Sequence, residues 1–228
     1  MTTTLFEYPK KTFFGRMVPK SKIYEHGKPI SSIKDLFVRQ VEQIVWQYKL
    51  APETINIKGT QSVPEIQIFS ITLKDDNLKP EVLRCIDEAI PYPILYELRF
   101  NGKIKAIAAY KRPGDANYEK WSISEYFEGY WVSDDTLRQI LPIVIDLESL
   151  YHCLLTPLMP YATRPGEKLS IMVARMEQIL LKQREIERYE AKLRKEKQFN
   201  RKVLINAELR KLKQELESLT RPLPSSGG

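Results

Sequence analysis

The C-terminal region limits the fold of this chain more than any other feature. From Leu169 to Leu219 there is neither proline nor glycine, and the residues are mainly Glu, Lys, Arg, Leu, Gln and Ile. All of these except Ile are strong helix formers. The composition therefore predicts a long helical tail, which we place at residues 169–220, followed by a short disordered end at residues 221–228.

Apolar residues of this tail fall on two stripes. The first stripe has spacings of three, four and seven and contains Met172, Met176, Ile179, Ile186 and Leu193. The second is a heptad seam with 4-3-4-3 spacing, which contains Ile205, Leu209, Leu212, Leu216 and Leu219. The stripes differ in phase by roughly a quarter turn or more. The change of phase falls within residues 198–206 and indicates a stutter, a kink or a turn between two helices.

The heptad seam needs a partner, because one isolated helix cannot bury it. The partner-binding residues predicted from it are Leu209, Leu212, Leu216 and Leu219. A second copy of the chain, another protein or the chain's own domain would each satisfy the seam. Of these, we predict a homodimer formed through a coiled-coil-like tail.

The positive charge of the chain is concentrated in the same region. Residues 168–221 contain 15 Lys and Arg against 8 Asp and Glu, whereas residues 1–167 contain 21 of each. The whole net charge of +7 therefore lies in the tail. Such an asymmetry indicates contact with a polyanion or an acidic partner surface.

Five of these cations recur at spacings of four, four, three and seven, opposite the first apolar stripe. They are Arg184, Arg188, Lys192, Lys195 and Lys202. A basic ridge of this kind predicts contact with the phosphates of DNA, without readout of base sequence. An ordinary solvated helix face is the competing interpretation, since Glu185, Glu187, Glu190 and Glu196 flank the ridge.

The preceding residues predict one α+β domain. Pro157, Pro160, Pro165 and Gly166 indicate a linker at residues 161–168, so that the domain spans residues 1–160. Apolar periodicity predicts helices at 33–50, 80–90 and 135–158, and strands at 65–73, 94–100, 104–111 and 126–132. Residues 1–30 are predicted to be irregular. Because no regular βαβ rhythm appears, we expect a mainly antiparallel sheet with packed helices.

Composition also predicts where the chain works. No apolar run is long enough to span a membrane, and the N-terminus lacks the layout of a secretory signal. Two cysteines far apart, Cys85 and Cys153, are typical of free thiols in a reducing compartment. These observations predict a cytoplasmic protein without membrane contact.

Several stretches, in collinear order over nearly the whole chain, resemble the bacterial domain-of-unknown-function family 4391. They are VPKSKIYEH (18–26), LFVRQVEQIVWQYKLAPETINI (36–57), VPEIQIF (63–69), CIDEAIPYPILYEL (85–98), IAAYKR (107–112) and KEKQFNRKVLINAELRKLKQELESL (195–219). The resemblance implies an accessory subunit of a bacterial defence system of restriction type. It also implies a helicase or methyltransferase subunit as partner, and it supplies no catalytic residues.

The sequence offers little evidence for a catalytic site. It has no nucleotide-binding glycine motif and no clustered ligands with metal spacing, so we predict no cofactor and no metal site. The alternative to a non-catalytic subunit is a divergent metal-dependent nuclease acting on DNA. Its carboxylates, an amide and a lysine would come from neighbouring strands, namely Glu65, Gln67, Glu97 and Lys111.

A further group of cations lies in the N-terminal segment. Arg16, Lys20 and Lys22 are predicted to bind a partner if the fold positions them together, and they are otherwise a solvated arm.

Overall fold

The fold was analysed in a computed structural model that describes residues 3–114 and 121–221. The chain forms two compact units, which divide between Met159 and Pro160. In the described ranges, no helix has both the length and the apolar character needed to cross a bilayer. The predicted disordered end, residues 221–228, lies outside the described residues except for Arg221.

The first unit is built on a mainly antiparallel sheet with one parallel pair of strands. Its strands are β1 (Phe6–Glu7), β2 (Phe13–Met17), β3 (Val41–Leu50), β4 (Ile66–Leu73), β5 (Ile94–Phe100), β6 (Lys103–Pro113), β7 (Trp121–Glu128), β8 (Val132–Ser133) and β9 (Gln139–Ile140). Its helices are α1 (Lys20–Gly27), α2 (Ser31–Gln40), α3 (Pro52–Ile55), α4 (Pro80–Ala89) and α5 (Leu147–Leu155). Short 3-10 turns occupy Lys10–Thr12 and Thr156–Leu158.

The main sheet has the strand order β2-β3-β4-β5-β6-β7, with β8 paired to β6. All of these pairs are antiparallel except β4 and β5, which are parallel and joined through α4. A separate parallel pair joins β1 to β9. The α+β class with a mainly antiparallel sheet is therefore confirmed.

The hairpin between β5 and β6 follows the sequence signal. Asn101 and Gly102 both have positive φ, at 46° and 68°. This backbone matches the right-handed twist of antiparallel strands, and Asn-Gly adopts it at low cost. The predicted strands 65–73, 94–100 and 104–111 and the predicted helix 80–90 are confirmed within two residues at their ends.

One face of the sheet carries the core against α1, α2 and α4. The sheet contributes Phe69, Ile71, Tyr96 and Leu98, and α4 contributes Val82, Leu83 and Ile86. Since successive residues of a strand point to opposite faces, Ser70 and Glu97 lie on the other face of the sheet.

The predicted helix at 33–50 is wrong in its second half. Helix α2 ends at Gln40, and β3 begins at the next residue. Lys20 Nζ donates to the carbonyls of Phe37 and Val41, and Lys74 Nζ donates to that of Val38. These lysines satisfy the carbonyls at the end of α2, so the chain passes into β3 without a loop.

The predicted helix at 135–158 is also wrong in its first half. Only Leu147–Leu155 is helical, beginning where the Asp146 carboxylate accepts the N–H of Ser149 at 2.7 Å. Residues 141–146 are not helical, since Pro142 removes a donor and Ile143, Val144 and Ile145 favour extended backbone. The predicted strand at 126–132 is displaced, because β7 ends at Glu128. Residues 1–30 contain β1, β2 and α1 and are not irregular.

The second unit contains α6 (Leu169–Lys195) and α7 (Phe199–Thr220). The change of apolar phase is therefore a turn at residues 196–198, one of the three predicted alternatives. The two C-terminal helices are present, and they pack on each other as a helical hairpin.

Candidate functional site

The apolar residues of the heptad seam pack against α6 within the helical hairpin. Leu209 and Leu212 of α7 are buried against Ile186 of α6, and Tyr189, Leu193, Ile205 and Leu216 pack around them. Ion pairs connect the two helices, with Lys182 2.7 Å from Glu215 and Lys213 2.8 Å from Glu190. These pairs show that the helices run antiparallel. The seam residues therefore have a partner inside the chain, and they no longer require a second copy.

The basic ridge lies on the outer face of α6. Arg184, Arg188, Lys192 and Lys195 are all exposed and lie on the helix face opposite Ile186. Lys202 is exposed as well, but it belongs to α7 and precedes Ile205 by three residues, in phase with the seam. The prediction of a five-residue ridge on one helix face is therefore wrong for Lys202.

The glutamates that flank the ridge are largely occupied elsewhere. Glu185 contacts Lys182 at 3.4 Å, Glu190 contacts Lys213 at 2.8 Å, and Glu196 accepts the backbone N–H groups of Lys197 and Gln198. Those backbone hydrogen bonds are also the main reason why the pKa of Glu196 is lowered. Glu185 and Glu190 thus pair with lysines outside the ridge, whereas Glu187 is exposed beside it and Glu196 keeps its negative charge at its end.

Three ridge cations consequently remain unpaired. Among residues 3–114 and 121–221, no carboxylate makes an ion pair with Arg188, Lys192 or Lys195. Lys192 Nζ also lies over the ring of Tyr189, 4.9 Å from its centroid. An unpaired cation on a solvated helix face is free to exchange a counterion for a phosphate.

The tip of the hairpin adds features that the sequence analysis missed. Residues 192–204 contain six Lys and Arg and one glutamate, and the same stretch exposes Phe199, Val203 and Leu204. Phe199, Val203 and Leu204 lie outside the heptad seam. This departure from the heptad pattern was the sequence signal that could have indicated their exposure. The tip is therefore the most basic part of the hairpin. Its apolar side chains are themselves exposed and do not cover its cations.

The base of the hairpin is held by buried charge. Arg175 is 6% exposed, makes two hydrogen bonds of 2.7 Å to the Glu167 carboxylate, and donates to the carbonyls of Ala162 and Leu219. Arg164 donates to the carbonyls of Ser218 and Leu219 at the end of α7. The hydrogen bonds from Arg175 lower the pKa of Glu167. Two arginines at the negative end of the α7 dipole fix the hairpin at its base.

The nuclease residues of the alternative prediction are placed apart. Glu97 is 2% exposed and accepts a bidentate pair from Arg138, at 2.6 and 3.0 Å, on the face of the sheet away from α4. Arg99 lies 3.6 Å from the same carboxylate. Glu65 pairs with Lys49 at 3.1 Å and accepts from Gln67 at 2.6 Å, on the face that carries Phe69.

The model of a domain of unknown function, DUF4391, matches residues 6–216. The chain belongs to the DUF4391 family. No curated protein and no solved structure matches it. The resemblance predicted from the sequence is thus confirmed, whereas the defence setting stays a prediction, because the family description names no activity.

Lys111 of this DUF4391 chain caps a helix. Its Nζ donates to the carbonyls of Asp87 and Ile90 at the end of α4 and lies 3.6 Å from the Asp87 carboxylate. Tyr126 donates to that carboxylate at 2.6 Å. Burial lowers the pKa of Lys111 and raises that of Asp87, and in each case the charge of the other opposes the shift. Lys111 and Glu97 thus lie on opposite faces of the sheet, each with its own partners.

Within the described residues of this DUF4391 chain, metal ligands do not cluster, and the three predicted N-terminal cations have different environments. Across the described ranges, no three His, Cys, Asp or Glu side chains are placed to hold a metal ion. Lys20 caps α2, Lys22 pairs with Glu25 at 2.9 Å, and Arg16 is exposed on the edge strand β2. Arg16 and Lys22 are exposed, whereas Lys20 is half-buried.

Proposed function

We propose that the chain is a cytoplasmic, non-catalytic accessory subunit whose helical hairpin binds the phosphate backbone of duplex DNA. The observation that carries the proposal is the set of three exposed, unpaired cations Arg188, Lys192 and Lys195 on one face of α6. Two of the flanking carboxylates, Glu185 and Glu190, pair with lysines outside the ridge. A surface of this kind attracts polyanions and gains free energy when counterions leave the DNA.

The length of the ridge fits a duplex groove. Arg188 and Lys195, the first and last of the three unpaired cations, are seven residues apart on α6, which corresponds to about 10 Å along a helix axis. The major groove of B-DNA is about 12 Å wide, so cations at the two ends of the ridge reach phosphates on both of its walls. Arginine and lysine contacts with phosphates position a protein but do not specify bases.

In the setting that the family resemblance implies, the first unit docks a helicase or methyltransferase subunit of a defence system. The hairpin then bridges that partner to DNA. The equal numbers of acidic and basic residues in residues 1–167 support this division of labour, because the first unit has no charge excess with which to attract DNA. Glu97 and Lys111, the central pair of the nuclease alternative, are each engaged by structural partners, so we do not propose that activity.

The proposal predicts a strong salt dependence of DNA binding. With three to five phosphate contacts, the slope of log affinity against log salt should be about −3 to −5. Fluorescence anisotropy of the full chain with labelled duplexes of several sequences measures it. Equal affinity for all sequences at each salt concentration is expected. A slope near zero, or a marked preference for one sequence, contradicts phosphate-backbone binding.

A further inference from the structure

The beginning of α7 exposes two apolar side chains on one face. Phe199 is 78% exposed and Val203 is 51% exposed, and their spacing of four residues places them on the same side of the helix. Val203 precedes Ile205 of the heptad seam by two residues, or about 200° around the helix. Phe199 and Val203, the apolar pair, therefore lie outside the seam that packs on α6. Leu204 is exposed as well, but it points about 100° away from Val203.

The apolar surface of this face is one helical turn long. The next positions at helical spacing are Asn206 and Arg210, which are both exposed and polar. The apolar pair spans about 6 Å along the helix axis. A helix that lies in a membrane surface carries a much longer apolar face, because its binding strength scales with the apolar area that it buries. One turn instead suits a single flat ring, such as a nucleobase.

Cations surround the apolar pair. Residues 192–204 contain six exposed Lys and Arg and one acid, Glu196. The six are Lys192, Arg194, Lys195, Lys197, Arg201 and Lys202. A complementary partner combines negative charge with an apolar face. Unpaired nucleotides have both, since each carries a phosphate and every base has a π-face. An intact duplex offers only the phosphates, because stacking covers the faces of its bases.

The tip is continuous with the surface that we assign to DNA. Lys192 and Lys195 belong to both the ridge and the tip, and only residues 196–198 separate Lys195 from Phe199. The Cα atoms of Lys195 and Phe199 are therefore no more than about 14 Å apart. A stacked DNA strand covers that distance in about four nucleotides. A strand whose phosphate contacts Lys195 can thus bring a base to the apolar pair.

We propose that Phe199 stacks on an unpaired base, with Val203 beside it, so that the hairpin tip selects DNA whose base stack is interrupted. A gap or a fork provides such a base. This inference rests on the proposed binding of DNA by the hairpin and names the class of DNA that the hairpin prefers. Stacking on an aromatic ring tolerates every base, so the preference is for DNA structure and not for sequence.

Fluorescence anisotropy of the full chain with two labelled DNAs tests the proposal. One is an intact duplex, and the other has the same strand lengths but ends in a fork of unpaired nucleotides. The wild type should bind the fork about tenfold more tightly. Phe199→Ala should abolish this preference and retain the affinity for the intact duplex, because the ridge is unaltered. Phe199→Trp should retain the preference, since its larger ring also stacks on a base.

The matched control is Leu204→Ala, which truncates an exposed apolar side chain of the tip on a different side of α7. It should leave both affinities unchanged. Equal binding of the two DNAs by the wild type overturns this proposal alone, whereas binding of neither DNA overturns the proposed function as well. A fork preference that survives Phe199→Ala, or that Leu204→Ala also abolishes, contradicts stacking by Phe199. Binding to phosphatidylserine vesicles that Phe199→Ala abolishes, with both DNA affinities unchanged, would assign the tip to an anionic membrane instead.

Discussion

Replacing both Arg188 and Lys192 with glutamate is expected to weaken binding of duplex DNA by about a hundredfold at low salt. Each replacement removes one unpaired cation and adds one negative charge to the outer face of α6. The magnitude of the log–log salt slope should fall by about two, because two phosphate contacts are lost. Fluorescence anisotropy at several salt concentrations gives both quantities for each protein.

The control for this experiment is Lys10→Glu, Lys11→Glu. Both lysines are exposed in the first unit, and the double variant changes net charge by the same amount. Its DNA affinity should stay close to that of the wild type. Arg188 and Lys192 lie opposite Ile186, so the hairpin variant should retain its helicity. Equal losses of affinity in the two variants would mean that net charge, and not the ridge, determines binding.

Replacing Arg138 with alanine is expected to lower the free energy of unfolding of the first unit by about 3 kcal/mol or more. Glu97 is 2% exposed and would keep only Arg99, 3.6 Å away, as a counter-charge. A buried carboxylate without a close partner carries its full desolvation cost. Urea unfolding followed by tryptophan fluorescence measures the change.

A double variant identifies the cause of this loss. Removing both charges in Glu97→Leu, Arg138→Met should recover much of the lost stability, because no unpaired charge is then left buried. No recovery in the double variant would contradict a cost due to the buried charge.

Local sequence signals were sufficient to predict the backbone where a residue pattern strongly favours one conformation. Asn101-Gly102 predicts the turn between β5 and β6, because few other pairs adopt positive φ twice in succession. The α2–β3 junction has no such signal. Its apolar spacing fits a helix, and the lysines that satisfy the end of α2 come from residues 20 and 74.

The site residues show the same limit. Exposure of Arg188 and Lys192 follows from helical periodicity alone, whereas the occupation of Glu190 by Lys213 depends on the antiparallel hairpin. Glu97 and Arg138 are 41 residues apart, and neither has a local pattern that predicts the other. Helical periodicity therefore indicates which cations of α6 are exposed, whereas the pairing of Glu97 with Arg138 could only be read from the folded sheet.

Protection of lysines by bound DNA tests the central claim most directly. The full chain is treated with an acetylating reagent, with and without saturating duplex DNA, and the modified lysines are quantified by mass spectrometry. We predict that DNA protects Lys192 and Lys195 of the ridge, together with Lys197 and Lys202 at the hairpin tip. Lys10, Lys11 and Lys22 of the first unit should react equally in both samples. Protection confined to lysines of the first unit, with Lys192 and Lys195 fully reactive, would contradict the assignment of DNA binding to the hairpin.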